Sequence, residues 1–134
     1  MRIYLDTNVV ISAMLFPKGK AALVFEHVIK KHTAIISDYT ISECKEVFEK
    51  KFPDKMEILD SFFDNLEYEN FKTPDKINER KYPKIRDIKD LPVLVSAILS
   101  DADVLITGNK DFDDVKIKKP LIFKPAQYAE LIQN

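Results

Sequence analysis

Short apolar runs alternate with amphipathic stretches along the chain. "RIYLD" (residues 2–6), "TAIIS" (33–37), "DVLITGN" (103–109) and "PLIF" (120–123) each hold adjacent apolar residues bounded by polar ones, the pattern of strands buried on both faces. The stretches between them have helical spacing. "AALVFEHVIKK" puts Val24, Phe25, Val28 and Ile29 on one face, and "TISECKEVFEKKF" aligns Ile41, Cys44, Val47 and Phe48. "DKMEILDSFFDNL" carries a core stripe of Met56, Leu59, Phe63 and Leu66, and "PAQYAELIQN" opens on Pro125, which suits the first helical turn. A helix is also expected to begin near Ser12, after the first strand.

"DLPVLVSAILS" is apolar almost throughout and fits a buried strand or a buried helix. Asp90 as N-cap, Pro92 in the first turn, and Leu94 and Ala97 favour the helix. Residues 70–88 hold Pro74 and Pro83 and show no clear period. They predict a short strand near Phe71 followed by a surface connection. Strands alternating with helices predict an α/β layer fold with a mostly parallel sheet, in one domain spanning residues 1–134.

That topology gives the polar residues their interest. In such folds the ligand site lies beyond the carboxyl ends of the strands. Asp6 closes the first strand, Glu43 stands near the start of the helix after the second, Asp90 opens the buried helix, and Asn109 and Asp111 follow "DVLIT". These groups, scattered in sequence, converge on one sheet edge. Two bare carboxylates at 5 Å repel by roughly 3 kcal/mol at an effective dielectric near 20, so the cluster calls for protons, cationic side chains or a divalent cation. Oxygen donors without His or Cys suit Mg²⁺ or Mn²⁺. His27 and His32 lie toward the opposite edge, which argues against zinc.

Composition adds exclusions. Lys and Arg number 21 against 22 Asp and Glu, so bulk charge does not mark a nucleic-acid binder, though it leaves room for a local basic patch. Two glycines, Gly19 and Gly108, cannot form a Gly-rich phosphate loop. The single cysteine, Cys44, permits no internal disulfide and predicts a reducing cytoplasm, with the thiol itself a core residue. No stretch reads as a signal peptide or reaches the ~20 apolar residues of a membrane helix.

"YLDTNVVISAML", "SECKEVFEKKF" and "RDIKDLPVLVSAILSDADVLITGNKDF", in this order and spacing, resemble PIN-domain nucleases of the stand-alone prokaryotic, VapC-like kind that act as toxins of type II toxin–antitoxin systems. The resemblance covers nearly the whole chain. It implies a three-layer α/β/α sandwich, an Mg²⁺- or Mn²⁺-dependent endoribonuclease, an RNA substrate, a small antitoxin partner and a homodimer. Asp6, Glu43 and Asp90 match the family's three best-defined acids. The fourth position departs: where the pattern usually reads Thr-Gly-Asp, this chain has Asn109, with Asp111 two residues on to supply the charge. The Asp-Pro-Asp-Asp usual before the buried helix reads Asp87-Ile88-Lys89-Asp90. The implied catalytic acids are therefore Asp6, Glu43, Asp90 and Asp111, with Asn109 as a further metal ligand and Thr7, Asn8 and Thr107 as positioning groups around them.

Each residue has a plainer reading. Asp6 and Asp90 serve equally as turn or cap residues. Thr40 and Glu43 form the sequence of a capping box. Asp87 reads as a loop partner of Arg86 or Lys89, Asp38 as a helix start, and Asp113 and Asp114 as turn residues. Lys18, Lys20, Arg80, Lys81, Lys84 and Arg86 are the candidates for phosphate contact. Phe62, beside Phe63, is expected to be exposed and available to a dimer. A non-catalytic PIN-like module binding RNA or protein is the alternative function, supported by Asn109. A receiver-like domain fits less well, because "LDTN" supplies one carboxylate where that class needs a pair.

Overall fold

The computed structural model describes residues 1–133. Five strands form one fully parallel sheet: β1 (Arg2–Leu5), β2 (Thr33–Ser37), β3 (Glu69–Phe71), β4 (Val104–Ile106) and β5 (Leu121–Phe123), in the order β3-β2-β1-β4-β5. The register pairs Ile3 with Ala34 on one side of β1 and with Val104 on the other. Six helices cover the sheet: α1 (Thr7–Leu15), α2 (Lys20–Lys31), α3 (Asp38–Lys51), α4 (Met56–Asp64), α5 (Leu91–Leu99) and α6 (Pro125–Gln133). The last residue of the expected terminal helix, Asn134, lies outside the described residues.

The strand period of two sorts the core into two layers. Ile3, Leu5, Ala34, Ile36, Val104 and Ile106 face one side, where they pack with residues of α1, α2, α3, α4 and α6. Tyr4, Ile35 and Leu105 face the other, against the apolar body of α5 and Phe112. The ambiguous "DLPVLVSAILS" is therefore a helix. With Leu91 and residues 93–97 buried, it is apolar on nearly all sides because it closes its layer almost alone. Chain order runs outward from β1 to β3, then returns to β4 on the opposite side of β1. The sheet's switch point thus falls between the carboxyl ends of β1 and β4, where ligands of such sheets bind.

Four local expectations are corrected. The first helix begins at Thr7, not near Ser12, because Asp6 is already its N-cap and accepts the Thr7 N–H. The Thr40–Glu43 capping box does not form. Helix α3 starts earlier, capped by Ser37, whose hydroxyl accepts the Thr40 N–H, so Glu43 sits in the second turn. Asp90 precedes α5 but its side chain makes no cap hydrogen bond. The chain instead enters α5 through a 3₁₀ turn over Ile88–Asp90, capped by Asp87. Phe62 is half-buried rather than exposed: its ring lies 5.2 Å from Phe25 and 5.5 Å from Phe63. No single described helix is long and apolar enough to cross a membrane.

Candidate active site

Asp6 is buried at the switch point. Its backbone N–H pairs with Ile106 at 3.1 Å, so the end of β1 is tied to the end of β4. One carboxylate oxygen accepts the Thr7 N–H at 2.7 Å and the other accepts the Thr107 hydroxyl at 2.6 Å. Burial pushes the Asp6 carboxyl above its ordinary range, and these two hydrogen bonds oppose the shift. The Thr7 hydroxyl donates in turn to Glu43 at 2.6 Å. Asp6, Thr7, Glu43 and Thr107 are therefore one hydrogen-bonded group drawn from β1, α1, α3 and the end of β4. Asn8 stands exposed on the next position of α1.

Glu43 is also raised, by partial burial first and then by the neighbouring charges of Asp6 and Glu46. Tyr39, on the preceding turn of α3, reads the same field. Its phenol is pushed up by burial and then by Glu43, Asp90 and Asp6, and its hydroxyl donates to the Lys89 carbonyl at 3.2 Å. One side chain thus feels three of the four acids that the sequence singles out, and it fastens α3 to the segment carrying Asp90.

A second acidic group lies beside the first. Asp87, Asp90 and Asp111 each offer an oxygen within 4.8 Å of the others. Asp6 and Glu43 are outside that set. Burial and then the adjacent Asp111 carboxylate push Asp90 up to about 6. Asn109 borders the group. Its side-chain oxygen accepts the Asp111 N–H at 2.9 Å, and its own N–H donates to the Thr107 hydroxyl at 3.1 Å, so it links the two halves. Among the described residues, the salt bridge that reaches the group is Arg86 to Asp111 at 3.6 Å, from an exposed side chain. Asp113 pairs with Lys124, and Lys18 and Lys20 lie at the α1–α2 connection. A cleft of about 410 Å³, which Thr107, Asn109, Phe112 and Lys124 help to line, opens on the β4–β5 side.

Asp87 is the residue that sequence reasoning missed. It caps the 3₁₀ turn that ends on Asp90, and there its carboxylate comes near those of Asp90 and Asp111. Tyr39 carried no signal in the sequence. The donors are all oxygens, burial shifts Asp6, Glu43 and Asp90 upward, and no His or Cys is among them. This set fits a hard divalent cation and does not fit zinc.

A PIN-domain family model matches residues 2–111. The chain belongs to the PIN-domain family. Among solved structures, a chain of VapBC2 from Rickettsia felis, crystallised bound to a DNA fragment from their promoter, is similar to this PIN domain. The two share 22% identity and a TM-score of 0.67 over 92% of this chain and 98% of that one, a likeness of fold. No curated protein matches the chain. The matched span ends at Asp111, so it includes every acid of the two groups.

Proposed function

We propose that this PIN domain is an Mg²⁺- or Mn²⁺-dependent endoribonuclease, acting in the cytoplasm as the toxin of a toxin–antitoxin pair. What supports the reading is a pair of acidic groups, Asp6 with Glu43 and Asp87 with Asp90 and Asp111, linked through Thr107 and Asn109 at the switch point of a parallel sheet in a PIN-family chain. Asp6, Glu43, Asp87, Asp90, Asn109 and Asp111 are the residues that would hold the metal. A divalent ion bound there supplies water of lowered pKa and neutralises charge on the phosphodiester.

The protein's own groups divide the remaining work. Thr107 and the Thr7 amide favour the ionised form of Asp6 against its burial and fix its orientation. Glu43, held by Thr7 and raised toward neutrality, accepts a proton and orients the attacking water. Arg86 and the cations before α5 bind the phosphate backbone. The VapBC2 likeness supports an antitoxin partner, which the toxin reading places over the acidic edge.

The test is cleavage of end-labelled structured RNA by wild type and Asp6→Asn with Mg²⁺, with Mn²⁺ and with EDTA. Metal-dependent cutting by the wild type and none by the folded variant is the expected result. Full activity in Asp6→Asn would sink the proposed site. RNA bound but never cut would favour the non-catalytic module, which Asn109 supports through its neutral side chain and its capping bond to Asp111.

A further inference from the structure

A second cleft, of about 480 Å³, lies in the segment before α5. Tyr82, Ile85, Ile88 and Leu91 form its apolar walls, Arg80 and Lys84 stand with them, and Glu79 adds an acceptor. Its volume is that of a small-molecule site, and its lining mixes an aromatic ring with a few polar groups. Two of its residues, Ile88 and Leu91, are chain neighbours of Asp87 and Asp90, so the same short segment carries a wall of the cleft and two of the acids. The segment is also locally cationic in a chain of net charge −1. Among the described residues no salt bridge engages Arg80, Lys81, Lys84 or Lys89, while Arg86 already leans toward Asp111.

We propose that this cleft holds an unstacked nucleobase of a single-stranded RNA, with Arg80 and Lys84 on the adjoining phosphates. The assignment rests on the nuclease reading and adds where the strand is gripped. Bases out of the stack pack on aromatic and apolar side chains while cations follow the backbone. Glu79 accepts from an amino or imino group on the base edge. An apolar wall meeting unpaired cations beside a site that repels bare phosphate meets both needs of such a ligand. A base anchored here brings its own backbone to the acids next in the chain.

The test is fluorescence anisotropy of a short labelled single-stranded RNA, and of the same sequence as a duplex, measured in EDTA. Wild type, Ile88→Glu and Lys84→Glu are compared. Ile88 is 56% exposed, so its replacement leaves the core alone, and circular dichroism confirms the fold. Both variants are expected to weaken single-strand binding about ten-fold or more, Ile88→Glu by putting a charge against the base and Lys84→Glu by reversing a phosphate contact. Ile88→Glu should leave the weaker duplex binding unchanged. Cut sites mapped on a long RNA should lose base preference at one fixed position in Ile88→Glu. Single-strand affinity unchanged in both variants overturns the assignment, as does a wild type that binds no single-stranded RNA; either result leaves the cleft to a protein partner. A wild type that binds but does not cut defeats the nuclease reading alone, and the variants' affinities still decide the cleft.

Discussion

The Thr107 hydroxyl donates to the Asp6 carboxylate at 2.6 Å, joining residues 101 apart across the two strands that flank the switch point. Both residues are buried, so water cannot replace this bond. Removing the hydroxyl in Thr107→Val leaves a buried charged oxygen without its donor, at a cost of about 1–3 kcal/mol. The cost attaches to the ionised carboxylate, so it should be larger at pH 7.5 than at pH 5. Urea unfolding at both pH values measures it, and Thr107→Ser should recover most of the loss. Equal destabilisation at the two pH values would show that Thr107 acts through packing and its bond from the Asn109 N–H rather than through the Asp6 charge.

The raised carboxyl at Asp90 fixes the sign of a second pH effect. A carboxyl whose folded pKa exceeds its unfolded value favours the fold while protonated, and that contribution is lost as pH rises through the folded pKa. For Asp90 the window runs from about 3.8 to about 6. Other acids, Glu69 among them, are shifted down and act oppositely, so the informative quantity is a difference between proteins. In EDTA, Asp90→Asn should match the wild type near pH 4 and melt at a higher temperature at pH 7.5. Mg²⁺ or Mn²⁺ should raise the wild-type melting temperature more at pH 7.5 than at pH 5, and should do so little in Asp90→Asn. Thermal melts across pH with and without metal check both statements.

Much of this arrangement is legible in the chain, and what is not has definite causes. Three of the strands announce themselves because buried parallel strands carry uninterrupted apolar residues: "IYL", "AII" and "VLI" are buried throughout. The same runs place Asp6 and Thr107 at one edge without knowledge of any contact. The start of α1 is harder to read, since "VVISAML" is apolar on several faces and blurs into the strand before it. Residues 74–88 contain no longer regular element than a 3₁₀ turn, so periodicity has nothing to report. Asp87 is set there by an Asx-type bond to the Lys89 N–H, a local geometry that sequence spacing only hints at. Glu43 was readable as an acid near the site. Its place in the second turn of α3 depends on Ser37 capping that helix, one turn earlier than the Thr40–Glu43 pattern suggests.

The end of α5 yields a prediction about the scaffold. Asp101 has φ of 59° and occupies the left-handed position of a Schellman turn, with Asp101 N–H on the Ile98 carbonyl and Ala102 N–H on the Ala97 carbonyl. Glycine takes this conformation without the strain an L side chain meets, about 1 kcal/mol or more. Asp101→Gly gives up an exposed bridge to Lys119, but Lys119 keeps Asp103 at 3.5 Å. The substitution should therefore stabilise by roughly 0.5 kcal/mol, while Asp101→Val should destabilise. Denaturant midpoints of the two variants against wild type decide it, and nuclease activity should not change.

Asp87 is the sharper test of how the acids share a cation. It stands with Asp90 and Asp111 in an oxygen set of 4.8 Å span, whereas Asp113, equally acidic and two residues from Asp111, is turned to Lys124 at 3.5 Å. Mn²⁺ titrated calorimetrically into the apo protein should bind more weakly to Asp87→Asn and Asp111→Asn, by about ten-fold each, since each loses one of a few charged ligands. Asp113→Asn should bind as the wild type does. Asn109→Asp runs the other way: a charge added between Thr107 and Asp111 should tighten Mn²⁺ and, in EDTA, lower stability at pH 7.5. If Asp87→Asn and Asp113→Asn bind the ion alike, Asp87 is only the cap of its 3₁₀ turn, and the cation is held without it.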